Sequence, residues 1–409
     1  MTTSPATNRP APEVADLVRA HGAAYLAAHA AHLSDAQRRA LHELAACRTA
    51  ALGGHTEQCA GCGERRIAYN SCRNRHCPKC QAAARADWWA RETGLLLPVE
   101  YHHVVFTLPQ ALGPLALQNP RVLYGLLFTT AWETVRALTL DPHYLGAEVG
   151  LRGVLHTWGQ TLCHHPHRHA VVTGGGLACA VDGRRHEPAR WVSCRPGFFL
   201  PVRVLSRLFR GKFLAALAAA HAAGRLGLHG TLASLADPAA FAAWLTPLYT
   251  QDWVVYAKPP WAGPEQVLKY LARYTHRVAI SNARLVSLVD GQVTFRDHDD
   301  ADGRRPKTMT LTAAEFWRRF LIHVLPRGFV KVRHYGLLAN RYREAKLPLC
   351  RQLLLVVVVA AALAGTAARA AGEPRPCPLC GGLVWQVVER SPRPSVAEVC
   401  RLPLGDDTS

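Results

Sequence analysis

The chain has 409 residues and is 49% hydrophobic, which is enough apolar material for two or three globular domains and excludes a disordered protein. Its 48 Lys and Arg residues against 29 Asp and Glu residues give a net charge of +19. So large a basic excess predicts an acidic partner such as nucleic acid. The longest apolar run, residues 353–365, is shorter than the ~18–20 residues that span a bilayer, so no membrane segment is predicted.

The first part of the chain is predicted to be helical and to end in a cysteine-rich segment. Residues 13–47 carry two helical stretches, and Ser34 has the side chain of an N-cap for the second. The cysteine-rich segment covers residues 47–80, and a helix rich in alanine and arginine follows at residues 81–96.

Two Cys-x-x-Cys pairs dominate that segment. Cys59 and Cys62 are separated by fourteen residues from Cys77 and Cys80, and four thiolates at this spacing predict one tetrahedral zinc site. Four further residues in or beside the segment either complete a second site, replace a thiolate or have only packing roles: Cys47, His55, Cys72 and His76.

The other cysteine and basic residues refine this interpretation. Arg73 and Arg75 lie within the cysteine-rich segment, and their positive charges predict contacts with DNA phosphates. Near the C-terminus, Cys377 and Cys380 look like half of a zinc ribbon whose other half could include Cys400. Paired cysteines without a secretory signal at the polar start of the chain predict a reducing, cytoplasmic setting.

The middle of the chain mixes strands and helices. Strands are predicted at residues 101–108, 151–158, 165–173, 191–202, 253–257, 283–289, 292–296 and 308–312. Helices are predicted at residues 112–138, 205–223, 238–249, 264–276 and 313–324. A turn is expected at Gly174 to Gly176 and a hairpin at Asp290 and Gly291. Because strands and helices do not alternate regularly, an α+β fold is predicted, with a central antiparallel sheet flanked by helices.

A histidine-rich strand is the first candidate for chemistry. His165, His167 and His169 project from one face of an extended backbone, and neighbouring imidazoles roughly 6–7 Å apart suit one divalent ion. If strands 151–158 and 165–173 form a hairpin, His156 lies opposite His167 and becomes a candidate third ligand. His165, Gln160 and a residue from a distant helix are the competing third ligands.

The ligand types leave the metal open between several ions. Polarisation of a phosphate favours Mg²⁺ or Mn²⁺. Imidazole ligands favour Mn²⁺ or a softer ion, and zinc on three histidines is chemically reasonable as well.

A pair of tyrosines is the second candidate. Tyr270 and Tyr274 lie four residues apart in a predicted helix, so both hydroxyls project from one face. A parallel basic stripe is formed by Lys269, Arg273 and Arg277. Because the ordinary pKa of tyrosine is about 10, such a nucleophile needs a polarised phosphate and nearby cations. The alternative interpretation is a pair of aromatic core residues.

Six stretches together resemble a known family. They read NSCRNRHCPKCQ at 70–81, VFTLP at 105–109, HPHRH at 165–169, GGGL at 174–177, YLARYTHRVAISN at 270–282 and RHYGLLANR at 333–341. Over residues 40–350 the chain resembles the two-tyrosine HUH rolling-circle transposases of the insertion sequence 91 family.

The resemblance implies three regions and a set of site residues. The regions are a helical zinc-binding, DNA-binding domain at 1–97, an HUH nuclease domain at 98–345 and an Arg- and Ala-rich tail at 346–409. His167 and His169 would hold the catalytic Mg²⁺ or Mn²⁺, and Tyr270 and Tyr274 would be the nucleophiles. The implied partners are single-stranded DNA at the element's termini and target DNA, at the bacterial nucleoid, with the oligomeric state left open.

The rivals to this function are a plasmid or phage replication initiator with the same chemistry and a zinc-dependent DNA-binding protein that has lost catalysis. One departure bears on the second rival, because Arg168 stands where the family has a hydrophobic residue. A buried arginine without a partner is costly. The sequence therefore predicts a solvent-open sheet face, an acidic partner or a loss of activity.

Overall fold

A computed structural model describes residues 12–178, 189–258, 266, 278–299, 305–354 and 376–404. Apart from Gln266, the tyrosine helix predicted at 264–276 lies outside the described residues. With it lie five predicted site residues: Lys269, Tyr270, Arg273, Tyr274 and Arg277. Within the described part of the chain, no helix is long and apolar enough to span a bilayer.

The described chain contains ten α-helices and twelve strands, which confirms the α+β fold. The helices are α1 (Val14–His29), α2 (Asp35–Ala45), α3 (Pro78–Thr93), α4 (Gly113–Gln118), α5 (Pro120–Leu140), α6 (Val202–Ala222), α7 (Pro238–Thr250), α8 (Ala313–Leu321), α9 (Arg343–Leu353) and α10 (Val396–Val399). The strands are β1 (Gly54–Cys59), β2 (Arg65–Tyr69), β3 (Tyr101–Thr107), β4 (Glu148–Trp158), β5 (His164–Ala178), β6 (Arg190–Ser193), β7 (Val255–Lys258), β8 (Leu285–Val289), β9 (Gln292–Asp299), β10 (Arg305–Thr312), β11 (Val332–Gly336) and β12 (Trp385–Ser391).

The largest sheet is antiparallel and has the order β11-β4-β5-β3-β7, with β6 paired to β5. The predicted hairpin of β4 and β5 is confirmed, and its register places His156 opposite His167. One face of this sheet carries Phe106 and Val172 into a core shared with α5, α6 and α7. Since side chains alternate along a strand, His156 of β4 and His167 and His169 of β5 lie on the opposite face.

A second core joins the two ends of the chain to the small β8-β9-β10 sheet. Leu17 of α1 packs in one apolar cluster with Trp317 of α8, and Val399 and Leu404 from the C-terminal segment join it. Strand β12 also pairs antiparallel with β1. The segment 376–404, predicted to be part of a tail, is therefore integrated into the N-terminal module.

Two predictions on local structure are wrong for identifiable reasons. The glycines from Gly174 to Gly176 lie inside β5 and do not form a turn. A Cβ on Gly174 would lie 2.7 Å from the Glu100 carbonyl oxygen, so glycine allows neighbouring backbone to approach closely. The strand predicted at 191–202 stops at Ser193, shortly before Pro196 and Gly197, which has a φ of 71°.

Candidate metal centre

Three histidines converge on the sheet face opposite the main core. The ligand atoms of His156, His167 and His169 all lie within 4.8 Å of one another. His156 comes from β4 and the other two from β5, so the hairpin register and the two-residue strand period bring them together. His165 is exposed and Gln160 is partly exposed, and neither belongs to this group of three.

Hydrogen bonds orient His167 and His169, two of the histidines of β5. The Nδ1 atom of His167 lies 2.7 Å from the His165 carbonyl oxygen, to which it donates. The Nδ1 atom of His169 lies 2.9 Å from Nε2 of His103 on β3. With both Nδ1 atoms engaged, the Nε2 atoms of His167 and His169 face each other at 3.1 Å.

His103 is the hydrogen-bond partner of His169 at Nδ1. Burial, followed by the charges of Lys258 and His167, lowers the pKa of His103 to about 3, so its imidazole is neutral at physiological pH. A neutral His103 can accept the Nδ1 proton of His169 through its Nε2 atom, which leaves the Nε2 lone pair of His169 available. Ligating histidines generally have an outer hydrogen-bond partner of this kind.

The donor set fits a divalent ion. Imidazole nitrogens are good ligands for Mn²⁺ and Zn²⁺, and two lone pairs converging at 3.1 Å repel each other unless a cation or a proton lies between them. The His156 ring is 2% exposed and stacks on Trp158 with ring centroids 4.7 Å apart, which restrains its orientation. Three protein ligands leave room for oxygen atoms of a phosphate or of water.

Arg168, between two of these histidines, points the other way into the main core. It is 0% exposed, and one guanidinium nitrogen donates to the Phe128 carbonyl oxygen at 2.8 Å. The rings of Phe128 and Tyr335 lie 5.1 and 4.9 Å from its Cζ atom. Its Nε and Nη2 atoms have no hydrogen-bond partner among the described residues. The sheet face is therefore not open to solvent, and no acidic partner is present in the described part of the chain.

Aromatic rings and a missing side chain accommodate this cation. Burial lowers the pKa of Arg168 to about 10, so the group stays charged at neutral pH. Cation–π contacts with two rings partly replace the lost hydration. Gly153 on the neighbouring strand leaves space for the guanidinium, which a Cβ at that position would overlap.

Replacing Arg168 by methionine should leave stability unchanged or raise it by ~1–4 kcal/mol, because apolar side chains often replace incompletely paired buried charges without loss. Gly153→Ala should cost ~1–3 kcal/mol in the native background because the new methyl group collides with the guanidinium. In the Arg168→Met background that cost should shrink. Urea unfolding of the four proteins measures this, and equal costs of Gly153→Ala in both backgrounds would refute the steric account.

His103→Phe should weaken metal binding ~10–100-fold, as loss of an outer partner of a metal ligand typically does. The matched control is His102→Phe, since His102 is equally buried at 1% exposure and, one residue away on the same strand, projects from the opposite sheet face. Calorimetric titration with Mn²⁺ measures both proteins. Equal Mn²⁺ affinities of the two variants would show that His103 does not support the metal site.

The cysteines predicted to share one zinc are divided between two clusters. Cys77 and Cys80 lie with Cys47 and Cys72, whereas Cys59 and Cys62 lie beside two C-terminal cysteines: Cys377 and Cys380. The predicted grouping is thus corrected, because the two Cys-x-x-Cys pairs lie on different parts of the module. Cys59 is the last residue of β1 and Cys62 follows it, whereas Cys77 is the N-cap of α3 and Cys80 lies in its first turn.

The first cluster has the dimensions of a tetrahedral zinc site. Sulfur–sulfur distances are 3.6 Å from Cys47 to Cys80, 3.5 Å from Cys72 to Cys80 and 3.6 Å from Cys77 to Cys47. Four sulfurs bound at ~2.3 Å to a tetrahedral ion lie about 3.8 Å apart. The backbone N–H groups of Cys72 and Asn74 also point to sulfurs of this cluster.

The two histidines proposed as extra zinc ligands lie elsewhere. The Nε2 atom of His76 accepts from the Leu325 N–H at 3.4 Å, and burial holds its pKa well below the usual range. His55 lies 3.2 Å from Glu57. Neither histidine belongs to a cysteine cluster.

The two arginines predicted to contact DNA have different environments. Arg73 is exposed, so its side chain is available to a phosphate. Arg75 donates to the carbonyl oxygens of Leu325, Pro326 and Phe329 at 2.6–2.9 Å. This differs from the predicted DNA contact, since Arg75 instead ties the cysteine-rich module to the segment after α8.

His103 is a site residue that the sequence interpretation did not identify. His103 lies on the same sheet face as His167 and His169, because β3 pairs with β5 and the odd-numbered residues of both strands share that face. Only the strand order, which the sequence did not supply, places β3 beside the histidine strand.

Two family models and two relatives match this chain. A family model described as "Putative transposase" matches residues 150–346, and one described as "Transposase zinc-binding domain" matches residues 17–108. The "Putative transposase y4qJ" of Sinorhizobium fredii is 56% identical over 346 residues, which is 85% of each chain. The "Transposase for insertion sequence element IS801" of Pseudomonas savastanoi pv. phaseolicola is 28% identical over 321 residues, 77% of this chain and 73% of that one. No solved structure matches.

Proposed function

Because this chain belongs to the insertion sequence 91 family of transposases, we propose that it nicks and joins single-stranded DNA during rolling-circle transposition. Tyr270 and Tyr274 are the proposed nucleophiles, and the reaction passes through a 5′-phosphotyrosine. The proposed catalytic ion is Mg²⁺ or Mn²⁺, held by His156, His167 and His169.

The observation that supports this most is the convergence of three imidazoles whose ligand atoms lie within 4.8 Å. The outer hydrogen bonds of His167 and His169 direct their Nε2 atoms inwards. When bound, a divalent ion there polarises the scissile phosphate. This arrangement supports a working nuclease over a DNA-binding protein without catalysis, because Arg168 lies on the other sheet face and does not disturb the histidines.

In the proposed reaction, a phosphoryl group passes from the DNA strand to a tyrosine of the protein and back to DNA. The hydroxyl oxygen of one tyrosine attacks phosphorus, the bond from phosphorus to the 3′ oxygen breaks, and the tyrosine's proton finally resides on the released 3′ hydroxyl. The second tyrosine repeats the cut on the other end or on the target. A free 3′ hydroxyl attacks the phosphotyrosine and restores a phosphodiester. Since each exchange conserves one phosphoester bond, no nucleotide cofactor is needed.

DNA is the proposed partner of both halves of the chain. The excess charge of +19 and the exposed Arg73 beside the first cysteine cluster support phosphate contacts by the N-terminal module. Lys269, Arg273 and Arg277 are the proposed contacts near the nucleophiles. The family membership favours an insertion sequence's termini over a plasmid origin as the substrate.

The test is a cleavage assay of the full-length protein on single-stranded oligonucleotides from the element's ends with Mn²⁺. We expect a denaturant-stable protein–DNA adduct that disappears in the Tyr270→Phe, Tyr274→Phe double variant. Tyr256→Phe is the matched control, because Tyr256 is an exposed tyrosine on the edge strand β7. An adduct that persists in the double variant, or DNA binding by the native protein without any adduct, would contradict the proposal.

A further inference from the structure

The second cysteine cluster joins two parts of the chain that are more than 300 residues apart. Cys59 lies 3.6 Å from Cys380 and Cys62 lies 3.5 Å from Cys377, sulfur to sulfur, across separations of 321 and 315 residues. All four sulfurs lie within 4.8 Å of one another. These distances are close to the ~3.8 Å expected between sulfurs on a tetrahedral zinc ion.

The two halves of the cluster have the same backbone turn. In the first, the Gly63 N–H donates to the Cys59 carbonyl oxygen at 2.9 Å and the Cys59 N–H donates to that of Glu64 at 2.8 Å. In the second, Gly381 donates to Cys377 at 2.9 Å and Cys377 donates to Gly382 at 2.8 Å. Each turn therefore presents its two sulfurs in the same way.

Glycines make these turns possible. Gly63 and Gly381 have φ values of 79° and 72°, a region that favours glycine. A Cβ on Gly382 would lie 3.3 Å from the Cys380 sulfur, and one on Gly61 would lie 3.4 Å from the same atom. The backbone at both glycines therefore passes close to the Cys380 sulfur, with little space for a side chain.

Little of β12 is buried against the N-terminal module. Six of its seven residues are exposed and the first, Trp385, is half-buried. The strand pairs antiparallel with β1, and the Trp385 ring contacts Arg66, whose Cζ atom lies 3.8 Å from the ring centroid. A strand that buries so little surface needs another source of stability.

We propose that Cys59, Cys62, Cys377 and Cys380 bind a second structural Zn²⁺, which closes the C-terminal segment onto the N-terminal module. The zinc-binding family model covers residues 17–108 and so contains only half of these ligands. Binding deprotonates the four thiols and releases the protons to solvent. The inference goes beyond the proposed function and does not depend on it.

Zinc content is the first test. The test uses full-length protein carrying His169→Ala, which removes one of the three converging histidines and so keeps zinc bound there out of the count. Purified in zinc, this protein should contain two zinc ions per chain by elemental analysis, and the same protein with Cys377→Ser and Cys380→Ser should contain one. The matched control is Cys163→Ser, Cys194→Ser, which changes two cysteines that lie in neither cluster and should retain two ions. Two ions in the Cys377/Cys380 variant would overturn the proposal, as would iron in place of zinc.

Alkylation of the native chain tests the same site without a variant. Cys62, Cys380 and Cys163 are all exposed, so iodoacetamide should modify all three quickly if none holds a metal. We expect mass spectrometry to find Cys163 modified while Cys62 and Cys380 stay protected. A chelator should expose all four cluster cysteines together. Immediate modification of Cys62 and Cys380, or disulfides between the two pairs, would overturn the proposal.

Discussion

Replacing His169 by alanine should abolish metal-dependent nicking while leaving DNA binding intact. His169 is 9% exposed, contributes one of two Nε2 atoms that face each other at 3.1 Å, and is held by His103. Polarisation of a phosphate by a metal contributes several kcal/mol, and 1.36 kcal/mol corresponds to tenfold in rate. We therefore expect a loss of ~10³-fold or more in the rate of adduct formation.

The matched control for this prediction is His165→Ala. His165 lies on the same strand, but its ring is exposed and outside the histidine triad formed by His156, His167 and His169. Alanine at this position keeps the carbonyl oxygen that orients His167. The control should nick DNA at close to the native rate. Native-like nicking by a folded His169→Ala protein would rule out the triad as the catalytic metal site.

Replacing Cys47 by serine should destabilise the whole N-terminal module. The sulfurs of Cys47, Cys72, Cys77 and Cys80 lie inside an apolar cluster that also contains residues of α1, α2 and α8. Structural zinc sites of this type contribute apparent binding energies of ~10–16 kcal/mol, and three remaining thiols cannot complete the tetrahedral shell. We expect loss of that zinc ion and of hydrogen-exchange protection in α1 and α2.

The control for the zinc prediction is Cys163→Ser, which alters an exposed cysteine outside both clusters. Hydrogen exchange read by mass spectrometry should show native protection in this control. In Cys47→Ser, the strands of the large sheet should retain more protection than α1, because they belong to a separate core. Full protection of α1 and α2 in zinc-free Cys47→Ser would contradict a stabilising role for the metal.

Local periodicity was sufficient to predict half of the candidate site. The hairpin of β4 and β5 follows from two short strands with a turn between them, and its register alone brings His156 to His167. The contribution of His103 depends on the position of β3 beside β5, a long-range pairing that a local pattern does not encode. The sequence therefore predicts the three histidines that converge but not His103, which is hydrogen-bonded to one of them.

The grouping of the cysteines could not be predicted from their spacing in the sequence. Cys59, Cys62, Cys77 and Cys80 are close in sequence and have a spacing that suits one ion, which made their grouping the natural prediction. The actual neighbours of Cys59 and Cys62 are 321 and 315 residues away, and ligand spacing carries no information about such a contact. The environment of Arg168 could not be predicted for the same reason, since the aromatic rings that contact its guanidinium lie in α5 and β11.

The central claim is that the imidazole triad holds an ion where a tyrosine can attack the phosphate bound to it. A crystal structure of the full-length Tyr270→Phe, Tyr274→Phe protein with single-stranded terminus DNA and Mn²⁺ tests this directly. We expect an anomalous peak within coordination distance of imidazole nitrogens of the triad, with one substituted ring positioned so that a tyrosine hydroxyl would lie ~3–3.5 Å from phosphorus. An ion elsewhere, or both rings on the opposite face of the sheet, would contradict the account.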